Sequence, residues 1–109
     1  MAYAVEFLKT AEQELARLPK DAQRQIVKRV EGLKGNPRPP GVEPLKGTEK
    51  LLRLRVGDYR VVYTVEGRRF VVLVVRIGHR KEVYENLAGR LSPYAGRVPE
   101  RTGRGPGPP

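Results

Sequence analysis

LLRLRVGDYRVVYTVEGRRFVVLVVRIGH, residues 51–79, decides the fold. Leu52, Leu54 and Val56 alternate with Arg53 and Arg55, the period of a strand that turns aliphatic side chains inward and two guanidinium groups outward. Gly57-Asp58 supplies the turn, since a tight hairpin connection needs backbone angles that these residue types tolerate. Tyr59 to Val65 and Arg69 to Ile77 are rich in Val, Tyr, Ile and Phe, which fit a pleated, half-buried surface, and Glu66-Gly67-Arg68 between them reads as a hairpin loop. Three successive antiparallel strands are expected.

Outward toward the N-terminus, Tyr3, Val5 and Phe7 alternate with Ala4 and Glu6, giving a short first strand that ends near Leu8. Thr10 is the expected N-cap of a helix carrying Ala11, Leu15 and Leu18, with Gln13 placed to complete a capping box. Pro19 interrupts. Ala22, Ile26, Val30 and Leu33 then set one apolar stripe along a second helix, which Gly35-Asn36-Pro37 stops. So short a break makes the two helices an antiparallel hairpin covering one side of the sheet. Gln23, Arg24, Lys28 and Arg29 form its outer surface, read as solvated rather than RNA-contacting, and Arg38-Pro39-Pro40-Gly41 is a stiff connection. Beyond the last strand, Val83 and Leu87 suggest a short terminal helix. The expected fold class is α+β, in the order β-α-α-β-β-β(-α), with the helical hairpin on a small, mainly antiparallel sheet. Residues 1–87 make one domain, and the Gly-, Pro- and Arg-rich residues 88–109 read as a flexible tail.

The chain of 109 residues has a formal net charge of +10, and the excess is concentrated on the strands: from Arg53 to Lys81 eight basic residues meet only Asp58 and Glu66. Such a field attracts polyphosphates, though anionic membranes and acidic proteins would be drawn too. The absence of cysteine excludes disulfides and thiolate metal sites and fits the cytoplasm. The N-terminal stretch lacks a secretory pattern, and the apolar run Phe70 to Val75 is too short to span a bilayer, so no membrane association is expected.

One histidine, His79, and scattered acids offer no converging metal ligands, and the lone serine, Ser92, falls in the tail. No metal or cofactor is expected. Arg, Lys, Tyr and His suffice for one reaction in particular, attack of an RNA 2′-hydroxyl on its own adjacent phosphate, because the substrate brings the nucleophile. From the residues alone, Arg53, Arg55 and Arg60 fit a solvated polar face as well as a phosphate site. Tyr59 and Tyr63 read as core. His79, just after a strand and a glycine, is a functional candidate or a hydrogen-bonded structural residue, and Tyr84 is either packed on the sheet or turned toward substrate.

The stretches LPKDAQRQIVKRVEGLKGNPRPPGVEPLKG, LLRLRVGDYRVVYTV and VVRIGHRKEVYENL, in this order, resemble the RelE/ParE superfamily of bacterial and archaeal toxin-antitoxin systems over Tyr3 to Leu87. The resemblance implies a toxin that cuts messenger RNA on the ribosome without metal, an endoribonuclease leaving a cyclic phosphate. It also implies silencing by a cognate antitoxin in a toxin-antitoxin hetero-oligomer. Arg53, Arg55 and Arg60 match family positions that approach the scissile phosphate, and Arg80 and Tyr84 complete the pattern, with Lys81 beside them. Relatives carry lysine where this chain has Arg53 and Arg55. Arginine essentially never releases its proton, so phosphate binding carries over to these two residues and a general-base role does not. That leaves His79 as the expected proton carrier, with Arg60, Arg80 and Tyr84 as its catalytic partners. Two other functions fit the same family: a ParE-like toxin that inhibits gyrase by binding, and an inactive domain that binds RNA or antitoxin.

Overall fold

The computed structural model describes residues 2–45 and 48–83. Strand β1 (Ala4–Phe7) leads into helices α1 (Lys9–Ala16) and α2 (Lys20–Gly32), followed by strands β2 (Glu43–Leu45), β3 (Thr48–Val56), β4 (Tyr59–Glu66) and β5 (Val71–His79). The five strands form one sheet in the order β1-β5-β4-β3-β2, with β1 parallel to β5 and the other neighbours antiparallel. This is the expected α+β arrangement with one strand more. Among the described residues, no helix is long and apolar enough to cross a membrane.

The helical hairpin packs as its apolar stripe dictates, with Ala11, Ile26, Val30 and Leu33 buried. Its start differs from expectation. Thr10 lies inside α1, and the N-cap position is Leu8, which makes no side-chain cap. The Leu8 amide donates to Val74 O at 2.9 Å while its carbonyl accepts from the Glu12 amide at 3.0 Å, so the last rung of the sheet also starts the helix. Gln23, expected on the outer face of the hairpin, donates from Nε2 to Leu18 O at 2.8 Å and to Ala16 O at 3.3 Å. It satisfies carbonyls that the end of α1 would otherwise leave open.

The extra strand β2 pairs with the outer edge of β3, Glu43 opposite Arg53 and Pro44 opposite Leu52. An edge strand accommodates Pro44 because only one side of it needs donors. The hairpin turn between β3 and β4 is as expected, with Gly57 at φ +58. Between β4 and β5 the register shifts: Val62 pairs with Arg76 but Tyr63 with Val74, so Val75 is an extra residue bulging from β5. Val71 to Val75 are all buried, and Val61, Val62 and Tyr63 are sealed from solvent beside them.

Tyr63 is a core residue, and its hydroxyl donates to Pro37 O at 2.6 Å, pinning the proline-rich connection to the sheet. Burial pushes its phenol up to about 12, against a smaller opposing pull from the Arg38 guanidinium. The folded protein therefore holds the proton longer than the unfolded chain does, and this contribution is complete below about pH 10 and lost as pH rises toward 12. Replacing Tyr63 by Phe should cost about 0.5–1.5 kcal/mol at neutral pH through the lost hydrogen bond. Urea titrations across pH 9–12 should show the parent losing stability faster than Tyr63→Phe; parallel decline in both proteins would contradict this reading.

Candidate functional site

Paired residues on neighbouring strands project to the same side, so the register assembles the site. Arg55, Arg60 and Gly78 form one row across β3, β4 and β5, and Arg53, Val62 and Arg76 form the next. On the opposite side stand the row Leu54, Val61, Ile77 and the terminal row Val56, Tyr59, His79. The former is buried on the face of the sheet that carries Phe7, which lines a cleft with Leu15 and Val30 of the helices.

The turn Gly57-Asp58 draws two arginines together. Arg60 Nη1 donates to Gly57 O at 2.8 Å and to Tyr59 O at 2.9 Å, folding the guanidinium onto the turn. Arg80, leaving β5, donates its amide to Asp58 O at 2.8 Å and holds Nε 4.0 Å from Asp58 Oδ1. Arg55 is exposed and makes no ion pair among the described residues. The structure thus gathers Arg55, Arg60 and Arg80 at one end of the sheet.

Other expected residues are placed differently. Arg53 is ion-paired to Glu43 of β2, the strand that the sequence conceals. His79 sits opposite Tyr59, with ring centroids 6.1 Å apart and an interplanar angle of 83°, on the side of the sheet away from Arg60. Its Nδ1 accepts the Lys81 amide at 3.2 Å, which in a neutral ring leaves the proton on Nε2. The Lys81 side chain is exposed. The His79 carbonyl accepts amides from Glu82 at 2.8 Å and Val83 at 2.9 Å, closing a turn that stands the buried Val83 over Gly78. The chain thus returns across the face that bears Arg60. Tyr84, the terminal helix and the tail 88–109 lie outside the described residues. Among those residues there is no cluster of three or more His, Asp or Glu able to hold a metal ion. Sequence reasoning missed the anchoring role of Gly57 and Asp58, although a two-residue turn one residue before Arg60 was its visible trace.

The profile of the ParE toxin family of type II toxin-antitoxin systems (parDE) matches residues 5–84. The chain belongs to the RelE/ParE superfamily of type II toxins. Among the relatives of this toxin, the RelE1 protein of Methanocaldococcus jannaschii is 30% identical over 79% of the chain and 99% of its own length. A RelE-like protein of Escherichia coli is 34% identical over 84% of the chain and 99% of its own length. The archaeal RelE-RelB complex of Pyrococcus horikoshii superposes with a TM-score of 0.66 at 32% identity, covering 76% of this toxin and all of that chain. A mutant of the Escherichia coli toxin RelE in the free state superposes with a TM-score of 0.68 at 29% identity, covering 84% and 99%.

Directly opposed like charges such as Arg55 and Arg60 oppose folding, typically by about 0.2–1 kcal/mol. Arg55→Gln should therefore stabilise the toxin by about that amount at low salt and by little at high salt. Urea denaturation at two ionic strengths checks this, with Arg68→Gln as the control for net charge; equal effects of the two substitutions would show that the pairing itself carries no strain.

Proposed function

We propose that this toxin is a ribosome-dependent messenger-RNA endoribonuclease acting without metal through attack of the RNA 2′-hydroxyl. The observation that carries this reading is the convergence of Arg55, Arg60 and Arg80 around the Gly57-Asp58 turn. In the reaction the 2′-oxygen bonds to phosphorus and the bond to the 5′-oxygen breaks, leaving a cyclic phosphate and a 5′-hydroxyl. One proton leaves the 2′-hydroxyl and another reaches the departing oxygen. Guanidinium groups suit the charge that builds on the phosphate, because they bind its oxygens in a planar fork and cannot be deprotonated. Arg60 spends one nitrogen on the turn carbonyls and keeps the others for substrate, so little reorganisation is needed as charge develops. Exposed Lys81 adds to the attraction of RNA, and Arg53, tethered to Glu43, shapes the rim.

His79 has a different part in this proposal from the proton carrier expected from sequence. Its position beside Tyr59 and its bond to the Lys81 amide suit a positioning residue that holds the turn bearing Arg80. Proton transfer then falls to Tyr84, which follows Val83 and matches the family tyrosine, or to solvent.

The same reading includes a cognate antitoxin as partner, since solved structures of similar chains include RelB-RelE and RelBE toxin-antitoxin complexes, and it makes the toxin one half of a RelBE-type hetero-oligomer in the cytoplasm. The surplus of positive charge would favour an acidic antitoxin segment. The description of the matched family as ParE supports a second reading, inhibition of gyrase by binding. That activity has no evident use for a phosphate-centred set of arginines.

Arg60→Ala and Arg80→Ala should each slow cleavage on translating ribosomes by a hundredfold or more, since such a transition-state contact is commonly worth about 2.7–4 kcal/mol. Folded variants that cut at the parental rate, or a parent that blocks gyrase supercoiling and leaves RNA intact, would sink the nuclease reading.

His79→Asn should keep most of the cleavage rate, because its side-chain oxygen can accept the Lys81 amide, whereas His79→Ala should lose more. Single-turnover pH profiles separate the alternatives. A limb near neutral pH that is present in the parent and gone in His79→Asn would make the histidine a proton carrier after all.

A further inference from the structure

At the far end of β4 and β5 from the arginine cluster, the hairpin tip Gly67–Phe70 carries features the proposed reaction does not use. Phe70 is held at φ +54, a left-handed backbone that side chains rarely adopt and that glycine would take without strain. The residue is 42% exposed, one of two large hydrophobic residues so exposed among the described residues. It is not loose. The ring meets Tyr3 edge to face, with centroids 5.5 Å apart at 63°, and the Phe70 carbonyl accepts the Ala4 amide at 2.8 Å.

The charges around it are unequal in availability. Arg69 is committed to Glu66 at 3.0 Å and lies 3.7 Å from the buried Glu6 carboxylate, so these charges answer one another. Arg68, two residues before the exposed ring, is itself exposed and has no hydrogen-bond or ion-pair partner among the described residues. An aromatic ring fixed by a second aromatic, with a free guanidinium next to it, is the combination that takes an unpaired base: the ring offers a stacking surface and the cation a contact to the neighbouring phosphate. An acidic peptide would satisfy Arg68 but would leave the exposed aromatic surface without a counterpart.

We propose that Phe70, supported by Tyr3 and flanked by Arg68, is a base-stacking site for single-stranded RNA, separate from the arginine cluster. Eight strand residues of β4 separate the two ends, roughly 25 Å, so one RNA strand can engage both only by running along the sheet. The proposal deepens the nuclease reading, on which its choice of RNA rests, by giving the toxin a contact with unpaired RNA away from the scissile phosphate.

The test is fluorescence anisotropy of the full chain with a labelled single-stranded oligoadenylate and with the same oligomer carrying abasic positions, over a range of salt. Phe70→Gly suits the backbone and should fold, which circular dichroism checks; Phe70→Leu keeps an apolar side chain but removes the ring. Both should weaken binding about tenfold with little change in salt dependence, and the abasic oligomer should lose the same factor with the parent. Arg68→Ala should lower the salt slope by about one. Parental affinity in folded Phe70→Gly, equal binding of the abasic oligomer, or no RNA binding by the parent would overturn the proposal. So would loss of antitoxin binding alone, which would assign the tip to a protein partner. Because anisotropy does not depend on cleavage, a chain that binds RNA through Phe70 yet cuts nothing would refute the nuclease reading and leave the stacking site standing.

Discussion

The pairing of β5 with β4, and within it the extra residue at Val75, is the constraint on which the site depends. Side chains alternate along a strand, so a register change of one residue exchanges the two faces. Were Val75 accommodated without a bulge, with Tyr63 still opposite Val74, Arg76 would fall opposite the fully buried Val61 and Ile77 opposite Arg60. A guanidinium would enter the core and an aliphatic side chain would enter the basic surface. The bulge avoids both by returning Ile77 to the core and leaving Gly78 beside Arg60, where Val83 can approach. A backbone irregularity thus connects core packing with the geometry of the charged end.

The end of β1 leaves the rest of β5 in need of support on that edge. Strand β1 pairs only with Val71 to Val74, and the Leu8 amide bonds Val74 O before the chain departs into α1. Beyond that rung, Glu14 of α1 accepts the Ile77 amide at 2.9 Å and lies 3.5 Å from Arg76 Nε. A carboxylate takes the place that another strand would occupy, satisfying a main-chain donor with a charge-assisted bond. The helical hairpin therefore does more than cover the sheet. It steadies the part of β5 that leads to His79 and Arg80.

Those long-range relations mark the boundary of what was legible in the sequence. The alternation through Leu52 to Val56, the Gly57-Asp58 turn and the stripe of Ile26, Val30 and Leu33 express local periods, and each survives folding. The bulge leaves no such trace because Val71-Val72-Leu73-Val74-Val75 is apolar at every position, so no alternation exists to be interrupted. Strand β2 is short, contains Pro44 and exists through its partner β3. Arg53 could not be told from Arg55 without Glu43, which arrives from ten residues away, and the contacts of His79 with the Tyr59 ring and the Lys81 amide left no mark in the sequence. Thr10 carried the better capping side chain, but a sheet rung at Leu8 determined where the helix began. Arg60 and Arg80 were named together for reasons of resemblance; the physical cause of their proximity is the turn to which both are bonded.

Arginine at positions 53, 55, 60 and 80 also separates two properties that lysine can combine. A lysine near a phosphate contributes charge and, with a lowered pKa, can exchange a proton; arginine contributes charge alone. The guanidinium charges at this end of the sheet are therefore positioned by register and turn geometry and do not double as proton carriers. Within the proposed reaction, the groups that stabilise the phosphate and the groups that move protons must be different residues, and pH dependence in the rate would report only on the second kind. That division places the demand for a proton carrier on a group other than these arginines, and within the proposed reaction Tyr84, the residue next to Val83 in the sequence, or solvent meets it.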